Sequence, residues 1–405
     1  MTAVKPYRIL HAIRSVKAAG GGPIEAVKQT MAAHRQLGHQ SEVLTLDSPT
    51  DPAVKELPVC CHGLGPAFTG YSYTSRLVPW LRANRERFDA VVVHGIWQYH
   101  AFGVWHALAG TSTPYFVFPH GMLDPWFKRT YPLKHAKKWL YWPWADYRVL
   151  RDARGVLFTC EEERSLARES FWLYRCREFV VGLGTTEPEG DPAVQQRTFL
   201  NQFPQLKGKR CLLFLGRVHV KKGPELLLRA FADVMARRPD AAREVRLVMA
   251  GPNDHAYGQE MVRLSEDLGL SDRIVWTGML TGDAKWGAFR EADAFVLPSH
   301  QENFGIAVVE ALACGVPVLI SNQVNIWRTI QDAAAGLVGS DDIVGTVGML
   351  EAWLATPPTE WDLMRVRARA CFERNFHIDR TAENLIRLID ANLQHDRSSA
   401  AYVGG

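Results

Sequence analysis

The sequence predicts an α/β protein built from two doubly wound parallel sheets. The chain has 405 residues, of which 47% are hydrophobic and 22% are charged. This composition is globular, and the length suits two or three domains. Short apolar runs alternate with amphipathic stretches in both halves of the chain, which is the pattern of strands and crossover helices in parallel sheets. A disordered chain is therefore excluded.

The first half opens with a β-α-β unit. An apolar run at 7–12 leads into a glycine-rich loop and an amphipathic stretch that ends at Leu37. Pro23 suits the first turn of that helix. Further apolar runs predict the other strands of this half at 41–46, 90–93, 115–118, 155–159 and 179–181.

The second half repeats the same alternation, which predicts a second Rossmann-like domain. A helix is predicted to begin at Pro224, and the last helices at 361–374 and 381–393. The predicted strands of this half are 211–215, 245–250, 274–277, 294–297 and 316–320.

A polar stretch at 185–197 contains two prolines and no periodic apolar positions, which is typical of a linker between domains. The predicted organisation has five parts, which are an N-terminal acceptor-binding domain at 1–187, a linker at 188–207, a C-terminal donor domain at 208–375, a final helix at 376–395 and a disordered tail at 396–405.

Charge and cysteine content give weaker indications of binding partners and of the cellular compartment. Residues 1–187 carry 23 basic against 16 acidic residues, and the rest carries 24 against 27. The basic surplus suits a surface that faces phosphates or anionic lipid, and equally an uneven solvated surface. The seven cysteines include no Cys-x-x-Cys pair, so we expect most of them to be small buried hydrophobes. With no secretory signal and no run of about 18 apolar residues, we expect a cytoplasmic protein.

The loop 216–223 follows a predicted strand and precedes a helix. It holds Arg217 and Lys222 between two glycines. Backbone N–H groups, the positive helix end and fixed cations together suit a diphosphate. A solvated basic turn is the alternative, and the Walker pattern is absent.

The loop 298–305 also joins a predicted strand to a helix. Glu302 is expected just outside the helix and Glu310 inside it, so a ligand along the helix N-terminus meets a carboxylate at each end. Carboxylates accept well from vicinal hydroxyls, and the amides near Phe304 and Gly305 suit phosphate oxygens. Alternatively, Glu302 is only a capping residue and Glu310 is only solvated.

These two loops, together with the segments 310–311, 315–318 and 119–126, resemble the signature of the retaining glycosyltransferases of family 4, and more narrowly of bacterial exopolysaccharide members. The resemblance covers most of the chain and is strongest in its second half. It implies a GT-B fold, with two Rossmann-like domains facing across a cleft and a last helix that crosses back to the N-terminal domain.

The resemblance also implies roles for single residues. Arg217 and Lys222 would grip the donor diphosphate, Glu302 would contact the donor sugar, and Glu310 would accept from the ribose. His120 would lie near the reaction centre, although the residues alone favour a buried core histidine. The remaining expected donor-binding residues are Gly21, Gly22, Asn303, Phe304 and Gly305.

The expected reaction is metal-independent and needs no cofactor, because the chain contains no Asp-x-Asp, the usual metal clamp of the other major glycosyltransferase fold. The resemblance implies front-face attack, in which the leaving diphosphate takes the proton of the acceptor. After Ser321 the segment 322–327 replaces a glycine-rich turn that is frequent in the wider family, so donor selectivity stays open there.

Basic and aromatic residues are mixed densely at 126–148, where Asp146 is the one acid. Pro132 and Pro143 bound a predicted helix of about ten residues, too short to span a bilayer. The mixture suits either an anionic membrane surface or an aromatic patch between domains. The basic members are Lys128, Arg129, Lys134, Lys137, Lys138 and Arg148, and the aromatic members are Trp126, Phe127, Tyr131, Trp139, Tyr141, Trp142, Trp144 and Tyr147.

The leading interpretation is a hexosyltransferase that uses a UDP- or GDP-sugar and a saccharide acceptor, which is a polyprenyl-diphosphate-linked saccharide if the chain docks on a membrane. The net charge of +4 gives no reason to expect a nucleic-acid partner. A nucleotide-sugar epimerase on the same scaffold and a catalytically silent sugar-nucleotide-binding protein are the alternatives. Segments 251–255 and 277–282 are expected to contact the base, and neither identifies it.

Overall fold

The computed structural model describes residues 5–17 and 22–403. It divides into two compact units, of which one combines Met1–Gly184 with Ile378–Gly405 and the other is Thr185–His377.

The described strands of the first unit form a parallel seven-stranded sheet in the order β3-β2-β1-β4-β5-β6-β7. Its strands are β1 Arg8–Ile13, β2 Gln40–Thr45, β3 Cys61–Gly63, β4 Ala90–His94, β5 Tyr115–Phe118, β6 Gly155–Phe158 and β7 Glu178–Val180. Its helices up to residue 167 are α1 Gly22–Gln36, α2 Pro52–Lys55, α3 Leu77–Asn84, α4 Tyr99–Leu108, α5 Trp126–Thr130, α6 Pro132–Tyr141, α7 Asp146–Asp152 and α8 Glu161–Ala167.

The sheet of the first unit is covered on both faces, as its continuous apolar strands predict. Val91 and Val93 of β4 belong to the core cluster that includes residues of α3, α4 and α7. Ala90 and Val92 of the same strand belong to a second cluster on the opposite face. Alternate residues of a strand point to opposite faces, so one strand supplies both cores.

The second unit holds a parallel six-stranded sheet, in the order β10-β9-β8-β11-β12-β13 among the described strands. The strands are β8 Arg210–Leu215, β9 Val245–Ala250, β10 Ile274–Gly278, β11 Ala292–Leu297, β12 Val318–Ser321 and β13 Gly336–Gly339. The helices are α9 Pro192–Gln202, α10 Pro224–Arg237, α11 Pro239–Glu244, α12 Ala256–Asp267, α13 Gly282–Glu291, α14 Ile306–Ala313, α15 Trp327–Asp332, α16 Ile343–Ala355 and α17 Pro358–Asn375.

The segment predicted as a linker, 188–207, is instead part of the second unit, because it contains helix α9. Asp191 caps that helix by accepting a hydrogen bond from the N–H of Ala193, and Pro192 occupies its first turn. Phe199 is fully buried, and α9 packs against α13.

The last helix, α18, runs from Ile378 to Val403 and belongs to the first unit. Ile378 and Ala382 pack on Ala33 of α1, and Leu385 and Ile389 join the core on the sheet face that contains Val92. The helix therefore extends beyond the predicted boundary at 395 into the segment predicted as disordered, of which residues 404 and 405 lie outside the described part.

The burial of the cysteines differs from expectation. All seven cysteines are free thiols, but only Cys211 and Cys371 are buried, and Cys60 is exposed. The expectation that most are buried is therefore wrong. Within the described residues, no helix combines the length and apolar character needed to cross a membrane.

Candidate functional site

Two loops of the second unit meet at one edge of its sheet. The loop 216–223 follows β8 and the loop 298–305 follows β11, and these two strands are hydrogen-bonded neighbours. Since the strands are parallel, their carboxyl ends lie at the same edge, where ligands of open α/β sheets bind. The structure thus brings together the two loops that the sequence singled out.

Gly223 sets how closely these loops approach. Its φ of 66° is left-handed, and a Cβ atom at this position would lie 2.1 Å from the carbonyl oxygen of Pro298. The N–H of His300 donates to the carbonyl of Lys221 at 2.8 Å. A residue with a side chain at position 223 would push the loops apart.

Lys222 and Glu302 form an ion pair between the loops, with side-chain exposures of 21% and 18%. Burial and the nearby charges of Lys221 and Arg217 lower the pKa of Lys222 to about 7. The Glu302 carboxylate acts in the opposite direction, because it favours the protonated amine. A cation and a carboxylate are therefore held in contact at the sheet edge.

Arg217 lies on the same loop and is exposed. Among the described residues, its guanidinium has no hydrogen-bond or ion-pair partner. A free guanidinium beside Lys222 suits bidentate contact with phosphate.

The segment 322–327 fixes the main chain of Glu302. The N–H of Glu302 donates to the carbonyl of Gln323, and the N–H of Asn325 donates to the carbonyl of Glu302, both at 2.9 Å. The side-chain amide of Asn325 also reaches Asn303 at 3.4 Å. This segment is therefore a positioning element for Glu302.

Phe304 and Gly305, both expected to bind the donor, have different structural roles. The Phe304 ring is 4% exposed and packs edge-on against Phe376, so its side chain serves the core. Gly305 has a φ of 78° and precedes the first residue of α14, where no side chain caps the helix. The first turn of α14 thus leaves backbone N–H groups available to an anion.

Glu310 is buried in α14 and accepts a hydrogen bond from the Lys285 amine of α13 at 2.6 Å. Burial raises the pKa of Glu310, and Lys285 opposes that shift. Sequence reasoning missed Lys285, because nothing in its local pattern distinguishes it from a solvated lysine. Glu310 thus lies within α14, whereas Glu302 precedes the helix.

In the first unit, His120 follows β5 with a φ of 51°, which is rare for a residue with a side chain. Its half-buried ring stacks on Phe118 and His94, and its Nε2 lies 3.1 Å from the Nδ1 of His94. Desolvation lowers the pKa of His120 to about 4. The imidazole is therefore neutral at physiological pH.

Glu163, which sequence reasoning missed, holds the turn after His120. Its buried carboxylate accepts from the N–H of Gly121 at 2.6 Å and from the N–H of Thr159 at 2.8 Å. A buried carboxylate with two backbone partners fixes the local main chain. Gly22 begins α1, and Gly21 lies outside the described residues.

Among the described side chains, Glu42, Cys60 and His62 form the one three-residue group with metal-ligand spacing. Glu42 is also paired with Arg8 and Arg87. These cations already neutralise the carboxylate, so the arrangement is adequately explained as an ion-pair network on β2 and β3.

Both units match glycosyltransferase domain families. Residues 21–184 match the glycosyl transferase 4-like domain, and residues 195–344 match the glycosyl transferases group 1 family. Each unit is thus similar to a glycosyltransferase domain, and the two parallel sheets are those of a GT-B fold.

Curated relatives include D-inositol 3-phosphate glycosyltransferases from several bacteria. The chain is 31% identical over 258 residues to that of Nocardia farcinica, and 34% identical over 176 residues to that of an Arthrobacter species. These matches cover 62% and 43% of this chain. The matched part spans 55% and 41% of the relatives' own lengths.

Solved structures match over nearly the whole chain. A glycosyltransferase from Rickettsia africae has a TM-score of 0.73 at 14% identity, covering 96% of this chain and 99% of its own. Sucrose-phosphate synthase from Thermosynechococcus elongatus has a TM-score of 0.73 at 19% identity, covering 97% and 100%. Anabaena HepE in complex with UDP-glucose has a TM-score of 0.69 at 14% identity, again covering 97% and 100%. At these identities the likeness establishes the fold.

Proposed function

We propose that this protein transfers a hexosyl group from a nucleotide diphosphate sugar to a saccharide acceptor, with retention of configuration and without a metal ion. The observation that carries the proposal is the junction of the two loops, where Lys222 contacts Glu302 and Arg217 lies exposed beside them. Cations suit the diphosphate, and carboxylates suit the hydroxyls of a sugar.

Different residues of the second unit bind different parts of the donor. Arg217, Lys222 and the open first turn of α14 meet the diphosphate, while Glu302 accepts from the sugar and Glu310 from the ribose. As the glycosidic bond breaks, negative charge grows on the leaving diphosphate. Fixed cations stabilise that charge where it develops, which is the most effective place for electrostatic catalysis.

The chemical step needs no enzyme nucleophile in this proposal. The acceptor hydroxyl attacks the face that the diphosphate leaves, and a diphosphate oxygen takes the hydroxyl proton. The sequence resemblance assigns His120 a contact to the donor sugar or the leaving group. Because its imidazole is neutral, it acts through a hydrogen bond rather than a charge.

UDP is the first donor nucleotide to test, since solved relatives of the same fold were obtained with UDP and with UDP-glucose. GDP stays open, because segments 251–255 and 277–282 contain no side chain that distinguishes the bases. The identity of the hexose is equally open.

The first unit offers a polar cavity of about 390 Å³ for an acceptor, at the carboxyl ends of β1 and β2. Arg14, Asp47 and Ser72 line it, so it presents donors and acceptors to a polyhydroxylated molecule. We assign this cavity to a saccharide acceptor in polysaccharide assembly. The curated relatives make a cyclitol phosphate the alternative acceptor.

Peripheral docking on the inner face of the plasma membrane fits the surface of α6. Leu133 and Leu140 lie two turns apart on one face of this helix and are 83% and 76% exposed. Lys134 and Lys137 are exposed on the same helix. Exposed apolar side chains flanked by lysines suit an anionic bilayer surface and a polyprenyl-diphosphate-linked acceptor. Trp142, in contrast, is fully buried, so not every aromatic of 126–148 serves this surface.

Two other functions use the same nucleotide site. A nucleotide-sugar epimerase would consume the donor without an acceptor and yield an isomeric sugar. A silent scaffold would bind the nucleotide and turn nothing over.

A transfer assay in EDTA, with UDP-glucose and then GDP-mannose as donors and an oligosaccharide or polyprenyl-diphosphate saccharide as acceptor, distinguishes these functions. We expect nucleotide diphosphate release that depends on the acceptor. In Lys222→Ala we expect turnover to fall by roughly a hundredfold, whereas Lys221→Ala, which removes the same charge from the same loop, should lose far less. Near-normal turnover of a folded Lys222→Ala protein would exclude this lysine from catalysis.

A further inference from the structure

Three histidines, on or just after three neighbouring strands of the first unit, form a hydrogen-bonded chain that ends at His120. His11 lies in β1, His94 ends β4 and His120 follows β5. The Nδ1 of His11 lies 3.0 Å from the Nε2 of His94, and the Nδ1 of His94 lies 3.1 Å from the Nε2 of His120. The chain thus runs across the sheet edge from the core to His120.

All three imidazoles are uncharged. Burial and the neighbouring His34 lower the pKa of His11 to about 3, and burial with the surrounding histidines lowers that of His94 well below its usual value. A neutral imidazole has one N–H donor and one acceptor nitrogen. The chain therefore has only two arrangements, in which every N–H points toward His120 or every N–H points toward His11.

The inner end of the chain decides between these arrangements. The Nε2 of His11 is buried and has no hydrogen-bond partner among the described residues. If the N–H groups pointed inward, this nitrogen would carry a buried and unsatisfied N–H. Among buried backbone groups, orphaned N–H donors are rarer than orphaned acceptors, and we apply the same preference to this imidazole. The outward arrangement leaves only a lone pair unsatisfied at this position.

We infer that His11 and His94 are positioning residues that hold His120 as the tautomer protonated on Nδ1, so that His120 presents a permanent N–H donor to a ligand oxygen. In this arrangement His11 Nδ1–H donates to His94, and His94 Nδ1–H donates to the Nε2 of His120. The Nδ1 of His120 has no partner among the described residues, so its hydrogen is available.

The consequence for catalysis rests on the proposed function. An oxygen of the donor sugar or of the leaving diphosphate would accept from His120 Nδ1–H. His120 could not take the proton of the acceptor at this nitrogen, because the nitrogen already carries one. The chain thus assigns His120 as a donor and leaves the acceptor proton to the diphosphate.

The tautomer can be measured without any substrate. In protein labelled with ¹⁵N-histidine, long-range ¹H–¹⁵N spectra at pH 7.5 distinguish the protonated from the unprotonated ring nitrogen, and the His120→Gln protein identifies the His120 signals among the 14 histidines. We expect a pyrrole-type shift at Nδ1 and a pyridine-type shift at Nε2. The reverse pattern in the wild-type protein would overturn the inference.

A pair of variants separates positioning from stability. His94→Phe removes the N–H that donates to the Nε2 of His120, so we expect protonated Nε2 to appear at His120 and kcat to fall on the order of tenfold, as for loss of an outer hydrogen-bond partner. His100 is equally buried and hydrogen-bonds to the backbone of His94 and Gly95. We expect His100→Gln to leave the His120 tautomer unchanged, even where it lowers thermal stability.

The outcomes distinguish this inference from the proposed function. If His120 is fixed as the Nδ1–H tautomer but no nucleotide stabilises the protein, the inference stands and the function fails. If His94→Phe leaves the His120 tautomer fixed, the inference fails, whatever the transfer assay shows.

Discussion

At the scale of single residues, the central finding concerns Lys222, whose lowered pKa lies close to physiological pH. Burial and two neighbouring cations lower its pKa to about 7, and Glu302 is its one described carboxylate partner. A bound diphosphate adds negative charge beside the amine and raises its pKa again. Nucleotide binding and protonation of Lys222 are therefore linked.

This linkage predicts uptake of protons when UDP binds above pH 7. Because the pKa of Lys222 is lowered to about 7, the unliganded protein loses this charge as the pH rises from 7 to 9. Binding favours the charged form, so we expect the affinity to fall over this range. Calorimetry at pH 8 in two buffers of different ionisation enthalpy measures the uptake. Lys222→Met should abolish most of it, and equal uptake in this variant would contradict the assignment.

Variants of the Glu310–Lys285 pair should separate its effect on the stability of the fold from its effect on UDP binding. Glu310→Gln leaves Lys285 without its partner at a partly buried position, so we expect a loss of about 2 kcal/mol in the free energy of unfolding. The double variant Glu310→Met, Lys285→Met replaces the pair by apolar groups and should regain stability.

UDP affinity is the readout that identifies the role of this pair. The double variant has no carboxylate to accept from a ribose, so we expect its affinity to stay low after its stability returns. Wild-type affinity in a stable double variant would assign the pair to folding alone.

At the scale of elements, Gly223 predicts how strictly the two donor loops must meet. In Gly223→Ala the new Cβ would clash with Pro298, and we expect UDP affinity to fall by roughly tenfold or more as the loops separate. Gly269 is the matched control, because its φ of 69° is nearly the same and its Cβ would meet nothing within 4 Å. If both alanine variants lost affinity equally, close approach of the loops would not be the reason.

The exposed face of α6 predicts salt-dependent membrane binding. We expect the protein to float with anionic liposomes at low salt and to be released as salt screens the lysines. Leu133→Glu with Leu140→Glu should abolish flotation, while Leu363→Glu, at another exposed leucine, should not. Absence of binding by the wild-type protein at low salt would contradict docking.

Sequence patterns located most central elements because buried parallel strands are continuous apolar runs. The predicted strands 115–118 and 245–250 have the observed bounds. The edge strands Cys61–Gly63 and Gly336–Gly339 were missed, since each is short and contains glycine. Helix α9 was missed because its apolar positions are few, although Asp191 followed by Pro192 is a recognisable helix start.

The candidate site could be predicted only in part. Loops that follow neighbouring strands meet by topology, so the sequence could predict that the loops of Arg217, Lys222 and Glu302 lie together, and Lys222 contacts Glu302. Lys285 and Glu163 were not found from the sequence, because each acts through a partner that is distant in sequence, and only packing brings the partners together. The hydrogen-bonded histidines from His11 to His120 were not linked from the sequence for the same reason, since the bonded pairs lie 83 and 26 positions apart.

At the scale of the whole molecule, the order of the elements along the chain differs from their grouping into the two compact units. The first unit is completed by α18, which comes after the whole of the second unit. No local pattern in 378–403 indicates which sheet this helix covers. That prediction came from the family resemblance, and the packing of Leu385 and Ile389 on the first unit agrees with it.

The most direct test of the central claim is a thermal-shift titration of the purified protein with UDP, GDP, ADP and CMP in EDTA. Binding to the native state raises the midpoint of unfolding by mass action. We predict stabilisation by a nucleoside diphosphate, strongest for UDP, that is lost in Lys222→Ala and kept in Lys221→Ala. No response of the wild-type protein to any of the four nucleotides, or an undiminished response of Lys222→Ala, would contradict the account.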